Sequence, residues 1–152
     1  MKLTSPAFKD GEEIPWRYSA MGENDLPPLD IENVPEEARS LALVFEDLDS
    51  PLGPLTHWLV WNLPPDTRHL DAVEQPECCM TGRDAFGKIG YTGPALPEGL
   101  HHYRFQLTAL DSELDLPEGA TRAQLKEAME GHVLAQADLT GYVQREGRDY
   151  EA

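Results

Sequence analysis

The sequence contains very little lysine. Only Lys2, Lys9, Lys88 and Lys126 are present, and 12 basic residues stand against 28 acidic ones, which gives a net charge of −16. Binding to nucleic acid or to an anionic membrane depends on cationic side chains, so this composition argues against both partners. The acidic surface suits a high-salt cell, where screening removes the cost of self-repulsion, or it is simply the surface of an acidic soluble protein.

Cysteine and long apolar runs are also scarce. Cys78 and Cys79 are adjacent, so we expect two reduced thiols and neither a disulfide framework nor a spaced metal motif. No window approaches the roughly 18 apolar residues of a membrane span, and residues 1–6 lack the apolar core of a signal peptide. The length of 152 residues predicts one domain over residues 1–152. The lack of a signal-peptide pattern and of a long apolar run predicts a cytoplasmic protein without a membrane span.

Proline and glycine occur throughout the chain and separate short apolar segments, which is typical of a β-rich protein. The continuous apolar run at 41–45 predicts a strand covered on both faces. In a second strand, at 57–63, period-two geometry places His57, Leu59 and Trp61 on one face. Alternation at 103–110 predicts a half-buried antiparallel strand. A last strand is expected at 137–144, where Gly141 indicates a bulge or a close approach.

One helix is well signalled. Thr121 and Gln124 have the spacing of a capping box, Gly131 suits the end of the helix, and the residues between include an apolar stripe of Leu125, Ala128 and Met129. A short second helix is predicted near 35–38. Because strands outnumber helices, the predicted fold is mainly β, a sandwich or Greek-key arrangement of antiparallel sheets with a few peripheral helices.

Several polar residues stand at the ends of the predicted strands. Asp47 and Asp49 follow the first strand, and either they point to one side of an extended backbone or they form an ordinary Asx-turn. His57 is either a structural histidine or a ligand-binding one oriented by Asp47 or Asp49. Alternation predicts that His101 shares the core-facing side with Tyr103, whereas His102 is exposed.

Two alternative chemistries use the same residues. The aspartates and histidines could hold a metal ion, but the spacing carries no specific metal motif, and we expect no metal or other cofactor. Ser50 with His57 and an aspartate could form a catalytic triad. The nucleophile elbow of such enzymes is missing, however, and Ser50 precedes Pro51 in what reads as a turn. We therefore expect no catalytic residue.

Taken together, these segments resemble the phosphatidylethanolamine-binding protein family, in its prokaryotic YbhB/YbcL or Raf kinase inhibitor-like branch. The resemblance covers about residues 3–145 in unbroken order, and its main motifs lie at residues 3–8, 46–51, 57–64, 86–91 and 101–105. The sequence departs from the family pattern at Leu26, at Leu48, where the family has proline between the two aspartates, and at Ala95-Leu96 in place of Cys-Pro. These departures affect the loops around the expected pocket.

The resemblance implies a pocket for a small anion or a phosphorylated headgroup. Its residues, carried over from the family motifs, are Asp47, Asp49, His57, His101 and Tyr103, with backbone from Gly93 to Ala95 nearby. The expected function is non-catalytic binding. The alternatives are an inhibitor or regulator of a kinase or protease, and a weak hydrolase with a pocket histidine as base. The resemblance also implies a homodimer.

Overall fold

The computed structural model describes residues 1–51, 53–72, 79–94 and 99–145. Ala95 and Cys78, both named above, lie outside these residues. The elements in chain order are β1 (Lys2–Thr4), a 3₁₀ turn (Trp16–Tyr18), β2 (Leu29–Glu32), β3 (Ser40–Asp47), β4 (Leu55–Leu63), β5 (His69–Leu70), β6 (Met80–Thr81), β7 (Gly99–Leu110), α1 (Arg122–Met129) and β8 (Val133–Arg145).

The strands form two antiparallel sheets, a three-stranded sheet with the order β1-β2-β5 and a five-stranded sheet with the order β6-β4-β3-β7-β8. The main core lies between them, where Leu29 and Ile31 of the small sheet join Leu43 and Phe105 of the large one. A second core lies on the other face of the large sheet, beneath α1. As predicted, β3 is buried along its whole length, because both of its faces are covered.

The predicted helix is confirmed. Thr121 caps α1 through a complete capping box: its hydroxyl accepts from the Gln124 N–H, and the Gln124 side chain accepts from the Thr121 N–H. The second helix predicted near 35–38 is wrong. Those residues form a single turn, closed by a 3.1 Å bond from the Ala38 N–H to the Pro35 carbonyl. Among the described residues, no helix is long and apolar enough to cross a membrane.

Gly141 marks a close approach and not a bulge. It lies opposite Tyr103 in continuous register within the β7–β8 pair. A Cβ atom at this position would lie 2.6 Å from Ile14 Cγ1 and 2.9 Å from Phe8 Cε2. The absence of a side chain at Gly141 therefore lets the segment before the 3₁₀ turn pack directly on β8.

A register irregularity in β4 determines the orientation of His57. Phe45 of β3 lies opposite Trp58, but the next residue, Glu46, lies opposite Thr56. His57 is thus an extra residue in the β4 ladder, as in a β-bulge. Strict alternation of side chains is lost at this point.

The bulge makes the predicted face of His57 wrong. Leu59 and Trp61 pack in the second core, beneath α1. The His57 ring instead lies on the main-core side, with its centroid 5.9 Å from that of Phe45 and 5.4 Å from that of Tyr103. The histidine is therefore turned toward the ends of β3 and β7.

Candidate functional site

Asp47 and His101 form a buried pair where β3 and β7 lie side by side. Asp47 is the last residue of β3 and lies opposite Tyr103, two residues after His101 on β7. Its Oδ2 accepts a 2.8 Å hydrogen bond from His101 Nδ1, and its Oδ1 accepts a 2.9 Å bond from the Asp49 N–H. Asp47 and His101 are only 4% and 8% exposed. The carboxylate therefore fixes the orientation of the His101 ring and leaves Nε2 for another partner.

His57 is oriented by backbone carbonyls. Its Nδ1 lies 3.0 Å from the Thr92 oxygen and 3.1 Å from the Gly93 oxygen. Carbonyl oxygens only accept, so Nδ1 carries the proton and the neutral ring has a lone pair on Nε2. Burial lowers the pKa of His57, although these two carbonyls and the nearby Asp47 act in the opposite direction. His57 is thus a neutral acceptor in the unliganded site.

The prediction that Asp47 or Asp49 orients His57 is therefore wrong. The Asp47 carboxylate accepts its hydrogen bond from His101 instead. The loop that carries Thr92 crosses next to β4, and the Thr92 N–H donates to the His57 carbonyl at 3.2 Å. The carbonyl groups of this loop thus orient His57, which is the role that a carboxylate was expected to have.

Tyr103 is completely buried between these groups. Its hydroxyl oxygen has no hydrogen-bond partner among the described residues. Burial, with a smaller contribution from Asp47 and Asp49, raises the pKa of the phenol above its usual value. The hydroxyl consequently stays protonated, and it is a hydrogen-bond donor in need of an acceptor.

Asp49 and His102 form a separate pair on the outer side of β7. Asp49 Oδ2 accepts from the His102 N–H at 2.6 Å and from His102 Nδ1 at 2.7 Å. These two bonds lower the pKa of Asp49. Both side chains are roughly half exposed. His102 is exposed, as predicted, and Asp49 lies with it at the edge of the cluster and not beside the buried imidazoles.

Gly93 contributes to the frame of the site. A Cβ atom here would collide with the Tyr18 carbonyl oxygen, so only glycine fits. The Gly93 N–H donates a 2.7 Å hydrogen bond to Asn24 Oδ1. Its carbonyl orients His57, so the polar groups of Gly93 are engaged within the protein.

Sequence reasoning missed Phe86 and Thr92. The Phe86 ring lies 5.1 Å from the His57 ring, edge to face, and the residue is 44% exposed. Thr92 donates its hydroxyl to Asp84 Oδ2 at 3.0 Å. Phe86 belongs to the family motif at 86–91, but nothing in the sequence assigns either side chain a role in the site. Within the described part of the chain, no group of three or more His, Cys, Asp and Glu residues is arranged to hold a metal ion.

Comparison with known proteins identifies the family. The family model for phosphatidylethanolamine-binding proteins matches residues 4–144. This chain belongs to the phosphatidylethanolamine-binding protein family. Membership supports a binding or regulatory role in general terms.

Relatives in this family resemble the chain over almost its full length. A UPF0098 protein of Methanothermobacter thermautotrophicus is 46% identical over 150 residues, which cover 95% of this chain and 99% of the relative. The crystal structure of a phosphatidylethanolamine-binding protein homolog from Chlamydia trachomatis superposes with a TM-score of 0.90 at 41% identity, covering 95% of this chain and 97% of that one.

Escherichia coli YbcL, described as a member of the mammalian phosphatidylethanolamine-binding protein family, superposes with a TM-score of 0.88 at 26% identity. The superposition covers 95% of this chain and 98% of YbcL. The predicted family and the predicted mainly β, antiparallel fold are therefore confirmed.

Proposed function

We propose that the cluster of Asp47, His57, His101 and Tyr103 binds a small anion or a phosphorylated headgroup without converting it. The observation that carries this proposal is the Tyr103 hydroxyl, which is buried beside His57 and has no acceptor among the described residues. A buried polar group left without a partner costs about 1–3 kcal/mol, so native proteins seldom keep one without a reason. A ligand oxygen at this place would satisfy it.

The protonation states favour a particular kind of anion. Tyr103 donates, whereas a neutral His57 offers a lone pair at Nε2. An anion that keeps one proton, such as monobasic phosphate or a phosphomonoester monoanion, can accept from the tyrosine and donate to the histidine. A fully ionised anion binds there only after His57 has taken up a proton. Affinity should therefore increase as the pH falls.

The Asp47–His101 pair limits the charge of the site. Asp47 is the counter-charge 2.8 Å from His101 Nδ1, so the net charge that the pair presents to a ligand stays small. The site thus selects for small anions of low charge.

Hydrolysis is the second candidate, because a buried neutral imidazole such as His57 is a competent general base. The site lacks an activated nucleophile among the described residues. Ser50, the candidate considered from the sequence, lies in a turn in which its carbonyl accepts from the Gly53 N–H at 3.0 Å. A kinase or protease partner and a homodimer stay predictions from the family resemblance, and a cytoplasmic location stays a prediction from the sequence composition.

The proposal is tested by calorimetric titration of the protein with inorganic phosphate. The His101→Gln variant should bind at least about tenfold more weakly, since it loses a charge-assisted donor. His132→Gln is the matched control, because His132 forms the same kind of pair with Asp111 at 2.7 Å on the surface. Equal loss in both variants would sink the proposal, and steady release of product from p-nitrophenyl phosphate would replace it with catalysis.

A further inference from the structure

A second cleft lies on the opposite face of β4 from His57. It has a volume of about 280 Å³ and opens between the start of β4, the segment after β6 and the start of α1. The described residues that line it are Pro54, Leu55, Thr56, Arg83, Asp84, Ala85, Thr121, Arg122 and Ala123. One lining residue, Asp84, touches the surroundings of the site proposed above, since it accepts from the Thr92 hydroxyl.

Beside the cleft, two partly exposed arginines share one carboxylate, and one of the two, Arg122, lines the cleft. The Glu46 carboxylate, 7% exposed, is shared by two arginines: Arg104 Nη2 lies 3.2 Å from Oε1, and Arg122 Nε lies 3.5 Å from Oε2. Two guanidinium groups thus face one carboxylate in a protein whose net charge is −16. The cluster keeps one uncompensated positive charge at the base of the cleft.

These arginines also have more donors than the protein has acceptors for. Arg104 Nε, Arg122 Nε and Arg122 Nη1 are buried and have no hydrogen-bond partner among the described residues. Unpaired donors on a buried charged group are costlier than those on a neutral one. Among the described residues, the ion pair that holds Arg122, which lines the cleft, is its long contact to Glu46. Because Nε and Nη1 are buried, the guanidinium must turn slightly to present them to an acceptor in the cleft.

The start of α1 adds further donors at the same place. Arg122 and Ala123 are the first two helical residues, and the capping box accounts for the N–H groups of Thr121 and Gln124 only. The N–H groups of the first turn and the helix dipole together favour a negative charge at this end. Arg83, which is exposed, approaches from the segment after β6.

The acidic residue among the lining, Asp84, makes its hydrogen bonds elsewhere. Oδ1 accepts from the Phe86 and Lys88 N–H groups at 2.8 and 2.9 Å, and Oδ2 accepts from the Thr92 hydroxyl. Asp84 keeps its negative charge, which the positive charges of Arg83 and Arg122 outnumber in the lining.

We infer that this cleft is a second oxyanion site, which takes a carboxylate or phosphate group on the Arg122 guanidinium and the first turn of α1, with Arg83 at its mouth. The planar guanidinium offers two parallel donors to the two oxygens of such a group. The cleft lies on the face of β4 opposite His57 of the first site, and Asp84 connects the two places through Thr92.

The test is an NMR titration with acetate and, separately, with inorganic phosphate. It is performed in the His101→Gln background, so that failure of the first site cannot be mistaken for failure of the second. The Arg122 Nε–Hε signal and the Ala123 amide signal should shift together and saturate. Arg122→Gln should weaken binding at the Ala123 signal about tenfold or more. Arg39→Gln removes the same charge from a different cleft and should leave binding unchanged.

A variant with the opposite expected sign separates binding from loss of folding. Glu46→Gln removes the competing carboxylate and should tighten binding about tenfold. Response to phosphate but not to acetate would define a phosphate site, and response to both would define a general oxyanion site. Shifts that do not saturate, equal weakening in the Arg39 and Arg122 variants, or weaker binding in the Glu46 variant would overturn the inference.

Discussion

The substitution Tyr103→Phe separates a ligand-binding role from a structural one. It removes only the hydroxyl, which is buried and has no partner among the described residues. Since such a group costs about 1–3 kcal/mol, the free energy of unfolding should rise by about 1 kcal/mol. For a domain of this size that corresponds to an increase in Tm of about 2–4 °C. Phosphate binding should nevertheless weaken about tenfold, because the ligand loses a donor.

The matched control is Tyr91→Phe. Tyr91 also packs on Phe45, but its hydroxyl donates a 3.0 Å hydrogen bond to the Tyr18 carbonyl. Removal of this satisfied hydroxyl should lower the free energy of unfolding by about 1 kcal/mol and leave phosphate affinity unchanged. Thermal unfolding by circular dichroism, with and without phosphate, measures both effects on the same samples.

The two variants should change the free energy of unfolding in opposite directions, and this difference separates the two roles. If Tyr103→Phe destabilises the protein as much as Tyr91→Phe does, then the Tyr103 hydroxyl has a partner in solution, such as an ordered water. If phosphate affinity is also unchanged, the reasoning that makes Tyr103 a ligand donor is refuted.

Three further predictions concern pH and stability. Burial lowers the pKa of His57 below its ordinary value of 6.5. As the pH falls, His57 is therefore protonated in the unfolded state before it is protonated in the folded state. The free energy of unfolding should fall as the pH decreases below about 6.5. His57→Asn should reduce this loss, as measured by urea unfolding at about pH 7.5 and about pH 5.5. An equal loss in the wild type and the variant would contradict this prediction. Gly141→Ala should destabilise by about 1–3 kcal/mol, because its Cβ would meet Phe8 and Ile14; an unchanged Tm would contradict it. Thr121→Ala should cost about 1 kcal/mol through loss of the cap, measured by denaturant unfolding, and an unchanged free energy of unfolding would contradict it.

Sequence patterns predicted those parts of the fold in which local signals and packing agree. The apolar run at 41–45 lies within β3, and the capping box of Thr121 begins α1. Gly141 was ambiguous, since a bulge and a close approach both favour glycine, and only the packing of residues 8–14 on β8 decides between them. Proline and acidic residues at 35–38 form a turn, because four residues cannot sustain a helix without packing.

The site was harder to predict, because its geometry depends on contacts distant in sequence. The face of His57 is set by a bulge that period-two reasoning cannot detect, and its orienting carbonyls come from Thr92 and Gly93, 35 and 36 residues later. His101, by contrast, shares the buried side with Tyr103, as alternation predicted, while His102 is exposed. The link between Asp49 and His102 follows from the turn after β3, which no sequence spacing specified.

The most direct test of the central claim is an NMR titration of the wild-type protein with inorganic phosphate, read at the imidazole signals. His57, whose ring packs against Tyr103, and His101, which is paired with Asp47, should shift and saturate together. His132, paired with Asp111 on the surface, should not move. Equal shifts of all three histidines, or no shift of any, would contradict the claim that these residues form an anion-binding site.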